Sequence, residues 1–300
     1  MQPMLTIALS LAVGTLARWY MLRIDYRMYP SYPQGYLIHL TFGAIAASLG
    51  AVAVPAVMAR DFQAVTFLAL AATQFREVRA LERETLQNME DTELVPRGTA
   101  YIEGIARVFE ARNYLALLTS LLTTLVAHLM PARASGRLVV AAVVGVSVPL
   151  LLRRAMQGPR IKDIARISEV PIEFAGPLLV AGGVHMMNIG LPDAQRKYRE
   201  QGVAIAIIPR DANAKATLAN AGQHQAIVHD AAGQLGVLKD TGEPEYTPLA
   251  RRDPVSGRVV LVIIPAERNV EALMMAVGNV PVLEGVTRRP LSAKAGRLAD

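Results

Sequence analysis

The 300-residue chain contains no cysteine. That excludes disulfides, thiolate metal sites and a cysteine nucleophile, and it leaves the redox compartment open. Aromatic residues are scarce at 5%, with one tryptophan. Charged residues are 19%, against the ~25% usual for soluble domains. Several motifs are also missing. Without HExxH there is no zincin-type metal site, and without GxGxxG or GxxxxGK[ST] neither a dinucleotide fold nor a P-loop is indicated. GxSxG is absent, as is a glycine-framed aspartate of the kind used by intramembrane aspartyl proteases. The residues call for no cofactor and no metal.

Hydrophobic residues make up 52% of the chain and the mean hydropathy is +0.30. Residues 1–152 hold long uncharged runs, whereas 153–300 read as a soluble α/β domain with dispersed charge. The formal net charge is +6. Many of the arginines flank apolar runs, so this charge points to membrane topology and anionic lipid rather than to nucleic acid.

The first apolar run, 4–22, lacks a basic start and a small-residue cleavage site, and is expected to be a retained span. Arg18, near its end, is expected to snorkel to the interface. The second run, 36–59, is long enough to cross a bilayer. Its Gly43, Ala47, Gly50 and Ala51 suit close helix contact. A third run centred on 64–73 is about fourteen residues between aromatics, below the usual ~17, and is expected to be a short span. Residues 76–93 form a polar, solvated helix with a thin apolar stripe. Pro96 and Gly98 break it, and Thr99 caps the next helix. That helix enters a span at 114–130, and another span follows at 138–152. A basic exit comes next, with Arg160, Lys162 and Arg166.

These runs give about five spans. The positive-inside rule then places the N-terminus outside and the C-terminal domain in the cytoplasm. A four-span alternative omits the short run and places the N-terminus inside. Both put the C-terminal domain in the cytoplasm, but they disagree on the side of the 23–35 loop.

The C-terminal domain repeats itself. The strand-like runs 203–208 and 259–264 are each followed by a proline. Aligning Pro209 with Pro265 brings Asn213 onto Asn269, Ala216 onto Ala272 and Gly222 onto Gly278. The order strand, cap, short helix, glycine stop and strand predicts a βαβ unit at 203–229 and again at 259–286. Second strands are expected at 225–230 and 280–285, with a hairpin at 230–238 and a turn at 251–258. The expected fold is a ferredoxin-like α/β sandwich. Residues 174–191 predict a buried strand pair.

Two constellations carry chemistry. The loop 23–36 gathers Tyr26, Tyr29, Tyr32 and Tyr36, as an interfacial anchoring belt would. Asp25 fits a belt least well, sitting between Arg23 and Arg27. A single carboxylate is not the proton-sharing dyad of an aspartic protease. The second constellation is a helical face with Glu103, Arg107, Glu110 and Tyr114 at i, i+4, i+7 and i+11. Glu103 or Glu110 is the candidate second acid for Asp25. Gly104 is expected to admit a second backbone. His39 and His128 lie inside spans and are expected to be hydrogen-bonded structural groups.

Tyr101, Ile102, Glu103, Gly104, Ile105 and Ala106 spell YIEGIA, and the loop with Arg23, Tyr26, Arg27, Tyr29 and Pro30 reads D-Y-R-x-Y-P-x-Y-P-x-G. On these residues the chain resembles the YIEGIA family. The resemblance implies an integral membrane protein of endospore-forming bacteria with a role in sporulation. It also implies a suggested proteolytic role with an aspartate as the catalytic group, which falls on Asp25. The expected function is a membrane scaffold or regulator whose cytoplasmic domain binds a protein partner. The alternative is a membrane-bound aspartate-dependent protease.

Overall fold

The structure, a computed structural model, describes residues 2–25, 33–131, 136–156, 158–239 and 246–293. The chain divides into two compact units, Met1–Thr85 with Ile105–Gln157 and Leu86–Gly104 with Gly158–Asp300. The second unit thus takes in a segment that precedes two of the apolar runs.

The first unit is helical. Its elements are α1 (Gln2–Ile24), α2 (Pro33–Met58), α3 (Phe62–Thr73), most of α4 (Phe75–Met89), most of α5 (Thr99–Leu129) and α6 (Arg137–Met156). Met4–Ile24 and Gly35–Met58 are long and apolar enough to cross a membrane, and the apolar stretch Arg137–Leu152 is shorter. The two N-terminal helices support membrane association. Small residues bring the backbones together. A side chain at Gly14 would meet Ala47 and the Ala116 carbonyl, and one at Gly50 would meet the Leu117 carbonyl.

The short third run is α3, twelve residues long with none of them buried. At 1.5 Å per residue it spans only ~18 Å. It does not stop there, because a single residue, Gln74, joins it to α4, and the Val78 amide bonds the Gln74 carbonyl. Phe75 and Val78 pack beside Ala46, and Glu82 reaches His39. Helices α3 and α4 together therefore run back along α2. The polar helix expected at 76–93 is correspondingly not solvated all round, since Phe75, Val78, Glu82 and Leu86 are buried.

In the second unit, β1 (Ala165–Glu169), β5 (Val203–Pro209), β7 (Val259–Ile263) and β6 (Leu249–Arg252) form an antiparallel sheet in the order β1-β5-β7-β6. A second sheet joins β2 (Ile172–Ala175), β3 (Leu178–Ala181) and β4 (Val184–Asn188), so the strand pair expected within 174–191 is present. All five residues of β7 are buried, as a strand covered on both faces must be. Ala204, Ala206, Val260 and Val262 face a core shared with Leu179, Met186 and Tyr198 of the β2–β4 sheet and α8 (Pro192–Gln201). Helices α9 (Ala212–Thr217), α10 (Ala221–Leu235) and α11 (Val270–Gly278) complete the unit, with the four-residue turn α7 (Ile161–Ile164) before β1.

The repeat holds in part. Strands β5 and β7 and the helices that follow each occur, and Asn269 is a cap. The first cap is Asp211 rather than Asn213, because the Asp211 side chain accepts from the Ala214 amide, while Asn213 is the second residue of α9 and accepts from the Leu291 amide. The second strands do not. Residues 225–230 lie within α10, which runs on to Leu235 and so replaces the expected hairpin at 230–238. The reason is a second cap: the Asn220 side chain accepts from the Gly222 amide and starts a new helix where a glycine stop was expected. Residues 280–285 form one bridge, Arg160 to Pro281, and then a 3-10 turn. Gln223 holds this segment instead, donating to the Pro281 carbonyl at 3.1 Å and accepting from the Leu283 amide at 2.9 Å. The turn at 251–258 does connect the antiparallel pair β6 and β7.

Gly104 admits no second backbone, since the neighbour of a side chain placed there is the Leu283 methyl at 3.5 Å, ordinary contact. Gly50 and Gly104 should therefore respond oppositely to alanine. Gly50→Ala is expected to destabilise the protein by about 1–3 kcal/mol through overpacking. Gly104→Ala should be neutral or stabilise by up to ~1 kcal/mol, the helix-propensity difference. Unfolding of both variants in detergent checks this.

Candidate functional site

The helical unit buries a set of ionisable side chains. Asp25 directly follows α1 and its amide bonds the Met21 carbonyl at 3.0 Å, so it stands at i+7 from Arg18 on one face. Asp25, 7% exposed, accepts two bonds from Arg112 of α5, from Nε to Oδ2 at 2.6 Å and from Nη2 to Oδ1 at 3.1 Å. This is the bidentate geometry that suits guanidinium to carboxylate. Arg18 is fully buried and does not snorkel. Its Nη2 lies 3.0 Å from His39 Nδ1, and its guanidinium sits 5.3 Å from the centre of the Phe109 ring. Gly43, one turn from His39, lies against the Arg18 side chain, and any Cβ there would overlap it. His39 Nε2 is 3.4 Å from Glu82 of α4, and its ring stacks edge-on against Phe109 at 4.3 Å.

Among the described residues, the side chain bonded to Asp25 is Arg112. Glu110 pairs with Arg79 at 3.3 Å. Glu103, half-buried, belongs to the second unit. Tyr26, Arg27, Tyr29 and Pro30 lie outside the described residues. Arg23 is exposed and stacks over Trp19 at 4.0 Å, an interfacial arrangement. His39 and His128 are both hydrogen-bonded, His39 to Arg18 and His128 through Nδ1 to the Thr124 carbonyl at 3.0 Å.

The first four residues of YIEGIA, Tyr101 to Gly104, belong to the second unit. A loop precedes them, closed by the Glu90 carboxylate, which accepts from the amides of Arg97 (2.9 Å) and Gly98 (2.7 Å). Gly98 has φ of +81°, which turns the chain into α5. Thr99 is then the first helical residue rather than the cap. Tyr101, 1% exposed, donates to Asp230 Oδ1 of α10 at 2.9 Å. His229 holds the Val95 carbonyl at 2.6 Å, Gln225 the Pro96 carbonyl, and Lys239 the Leu94 carbonyl at 2.8 Å. Gly222 lies against Ala100. Helix α10, with Lys239 beyond its end, thus holds residues 94–96 by their backbone and Tyr101 by its hydroxyl, while Ile102, Ile105 and Ala106 are buried.

Sequence reasoning missed Arg112, Glu82 and Asp230. Arg112 read as one more basic residue ahead of a span, and nothing in the sequence matched it to Asp25. Asp230 recurs at i+3 and i+7 from Ile227 and Gln223, a helical period that the repeat alignment obscured.

The fold and these sites define a class: an apolar helical bundle with a buried arginine–carboxylate–histidine network, in one chain with an α/β unit. The chain belongs to the YIEGIA family, whose model matches residues 6–293. It is similar to a Bacillus subtilis (strain 168) protein named Uncharacterized protein YphB, 45% identical over 284 residues that cover 95% of this chain and 94% of that one. No solved structure matches it.

Two outcomes are expected. Breaking the buried pair from one side, by Asp25→Ala or Arg112→Ala, should cost about 3–5 kcal/mol, whereas Asp25→Leu with Arg112→Leu should cost far less. Unfolding of the single and double variants measures this. In the second unit, burial lowers the His224 pKa below 6.5, with the Arg252 charge adding to the effect against the Leu218 carbonyl bond. The unfolded chain then takes up the proton first, so stability is full above 6.5 and declines as pH falls from there through the lowered folded value. His224→Gln should flatten that decline in a pH series of unfolding midpoints.

Proposed function

We propose that this protein is a non-catalytic membrane scaffold or regulator of endospore formation, with a cytoplasmic α/β unit that binds a protein partner. The observation that carries this reading is the bidentate hold of Arg112 on Asp25. A proton-sharing dyad needs a second carboxylate at the aspartate. Here both oxygens are engaged by a guanidinium, as a structural anchor would be.

The same pair supports five spans over four. In the four-span arrangement the 23–35 loop and the start of α5 fall on opposite sides of the bilayer, which a 2.6 Å contact does not permit. In the five-span arrangement they share the cytoplasmic side, with the N-terminus outside and the short run at 62–75 as the third crossing. In the α/β unit we read a permuted ferredoxin-like sheet. Strands β5, β6 and β7 take the first three positions, and β1, from ahead of them, takes the fourth place beside β5.

The chain's lack of cysteine makes the topology test clean. Single cysteines placed at 60 and at 160 should differ, with only the first labelled by an impermeant thiol reagent on intact cells, whereas the four-span arrangement leaves both unlabelled. For activity, wild type and Asp25→Asn are compared in sporulating cells by mass spectrometry of protein fragments. The scaffold reading expects the same fragments from both. Products that disappear with Asp25→Asn, while the variant stays at normal level in the membrane, would establish the protease instead.

A further inference from the structure

Two exposed cations of the second unit converge on one neutral acceptor, and a third bonds the backbone of one of them. Arg160 Nη1 and Lys162 Nζ both donate to Asn279 Oδ1, at 3.0 and 2.9 Å. Arg210 Nη2 lies 2.9 Å from the Lys162 carbonyl. Two full charges thus share one neutral amide oxygen, and the third is tied to the Lys162 backbone. Among the described residues no carboxylate pairs with any of the three. The nearby acid, Asp163, spends an oxygen on the Arg160 amide at 2.7 Å.

Helix capping does not account for the cluster. The end of α11 is already served by Asn279, whose own amide bonds the carbonyls of Met275 and Ala276 and whose Nδ2 bonds that of Met275 at 2.9 Å. The cations touch only the outward oxygen of that side chain. They do so in the basic stretch that follows the apolar helix α6, and Arg160 is four residues beyond its last residue, Met156. Four residues of chain reach at most ~14 Å.

We propose that Arg160, Lys162 and Arg210 form a phosphate-binding site that takes the headgroup of an anionic membrane lipid. The headgroup oxygens replace Asn279 Oδ1 as the shared acceptor, and a doubly bonding phosphate suits a guanidinium beside an ammonium. Cations at a membrane surface attract anionic lipid in this way.

The inference rests on the membrane reading above, and the experiment separates the two. The full chain is purified in detergent and titrated with phosphatidylglycerol or phosphatidylcholine, with bound lipid counted by native mass spectrometry. Wild type should retain phosphatidylglycerol preferentially. The triple variant Arg160→Gln, Lys162→Gln, Arg210→Gln should bind it on the order of tenfold more weakly or worse. Asn279→Asp leaves every cation in place but supplies the missing carboxylate. It should weaken lipid binding without lowering the unfolding temperature, which a purely structural role for the cluster would not produce. Equal phosphatidylglycerol binding by wild type and triple variant overturns the site. Displacement of the lipid by millimolar inorganic phosphate overturns the lipid as its ligand in favour of the free anion. Failure of the membrane reading would show differently, as extraction of the wild-type chain from cell membranes by alkaline carbonate.

Discussion

The Asp25–Arg112 pair is the contact on which the helical unit depends. Burying two charges costs several kcal/mol per ion, and only a well-formed bidentate geometry offsets it. Such a pair tolerates no sliding. It fixes the end of α1 against α5, and Arg18, His39 and Glu82 extend the same constraint through α2 to α4. In an apolar bundle, side chains of similar shape pack in several registers with little difference in energy. Polar contacts select one register, because every other leaves a charge unpaired. The small residues are consistent with this. Gly43 makes room for the Arg18 side chain, and Gly14 and Gly50 let the α5 backbone approach.

The α/β unit is held by a different device. Its four-stranded sheet is covered on both faces, which needs no further explanation than apolar burial. The segments of little regular structure around it are another matter. Residues 94–98 and 281–288 are fastened by side chains that bond their backbone: His229, Gln225 and Lys239 for the first, Gln223 and Thr217 for the second. Helix α10 supplies Gln223, Gln225 and His229, so one amphipathic helix organises both segments. Tyr101 adds a bond from the hexapeptide to Asp230 on the same helix. The conspicuous residues Tyr101 and Ile102 are buried docking groups, and Glu110, half-buried, pairs with Arg79 of α4.

The apolar helices were legible in the sequence because length and composition suffice to mark them. So were β5, β7 and the β3–β4 pair, as short apolar runs bounded by glycine and proline, whereas β2 was not. The errors have physical causes. Gly222 sits where the repeat places a helix stop, but Asn220 two residues earlier is a cap, and a glycine next to a cap begins a helix as readily as it ends one. Arg18 near a span end fits snorkelling by position, yet its position says nothing of His39 and Phe109, which surround it.

By itself the sequence determined which segments are apolar, where helices start and break, that the second half is α/β, and the family to which the chain belongs. These follow from periodicity, composition and local turn chemistry, each read within a few residues. Only the tertiary structure decided which charges meet. Asp25 and Arg112 are far apart in the chain, as are Tyr101 and Asp230 or Lys162 and Asn279. A residue's charge is local information, but the partner that neutralises it, and the cations left without one, depend on how the helices and strands come together.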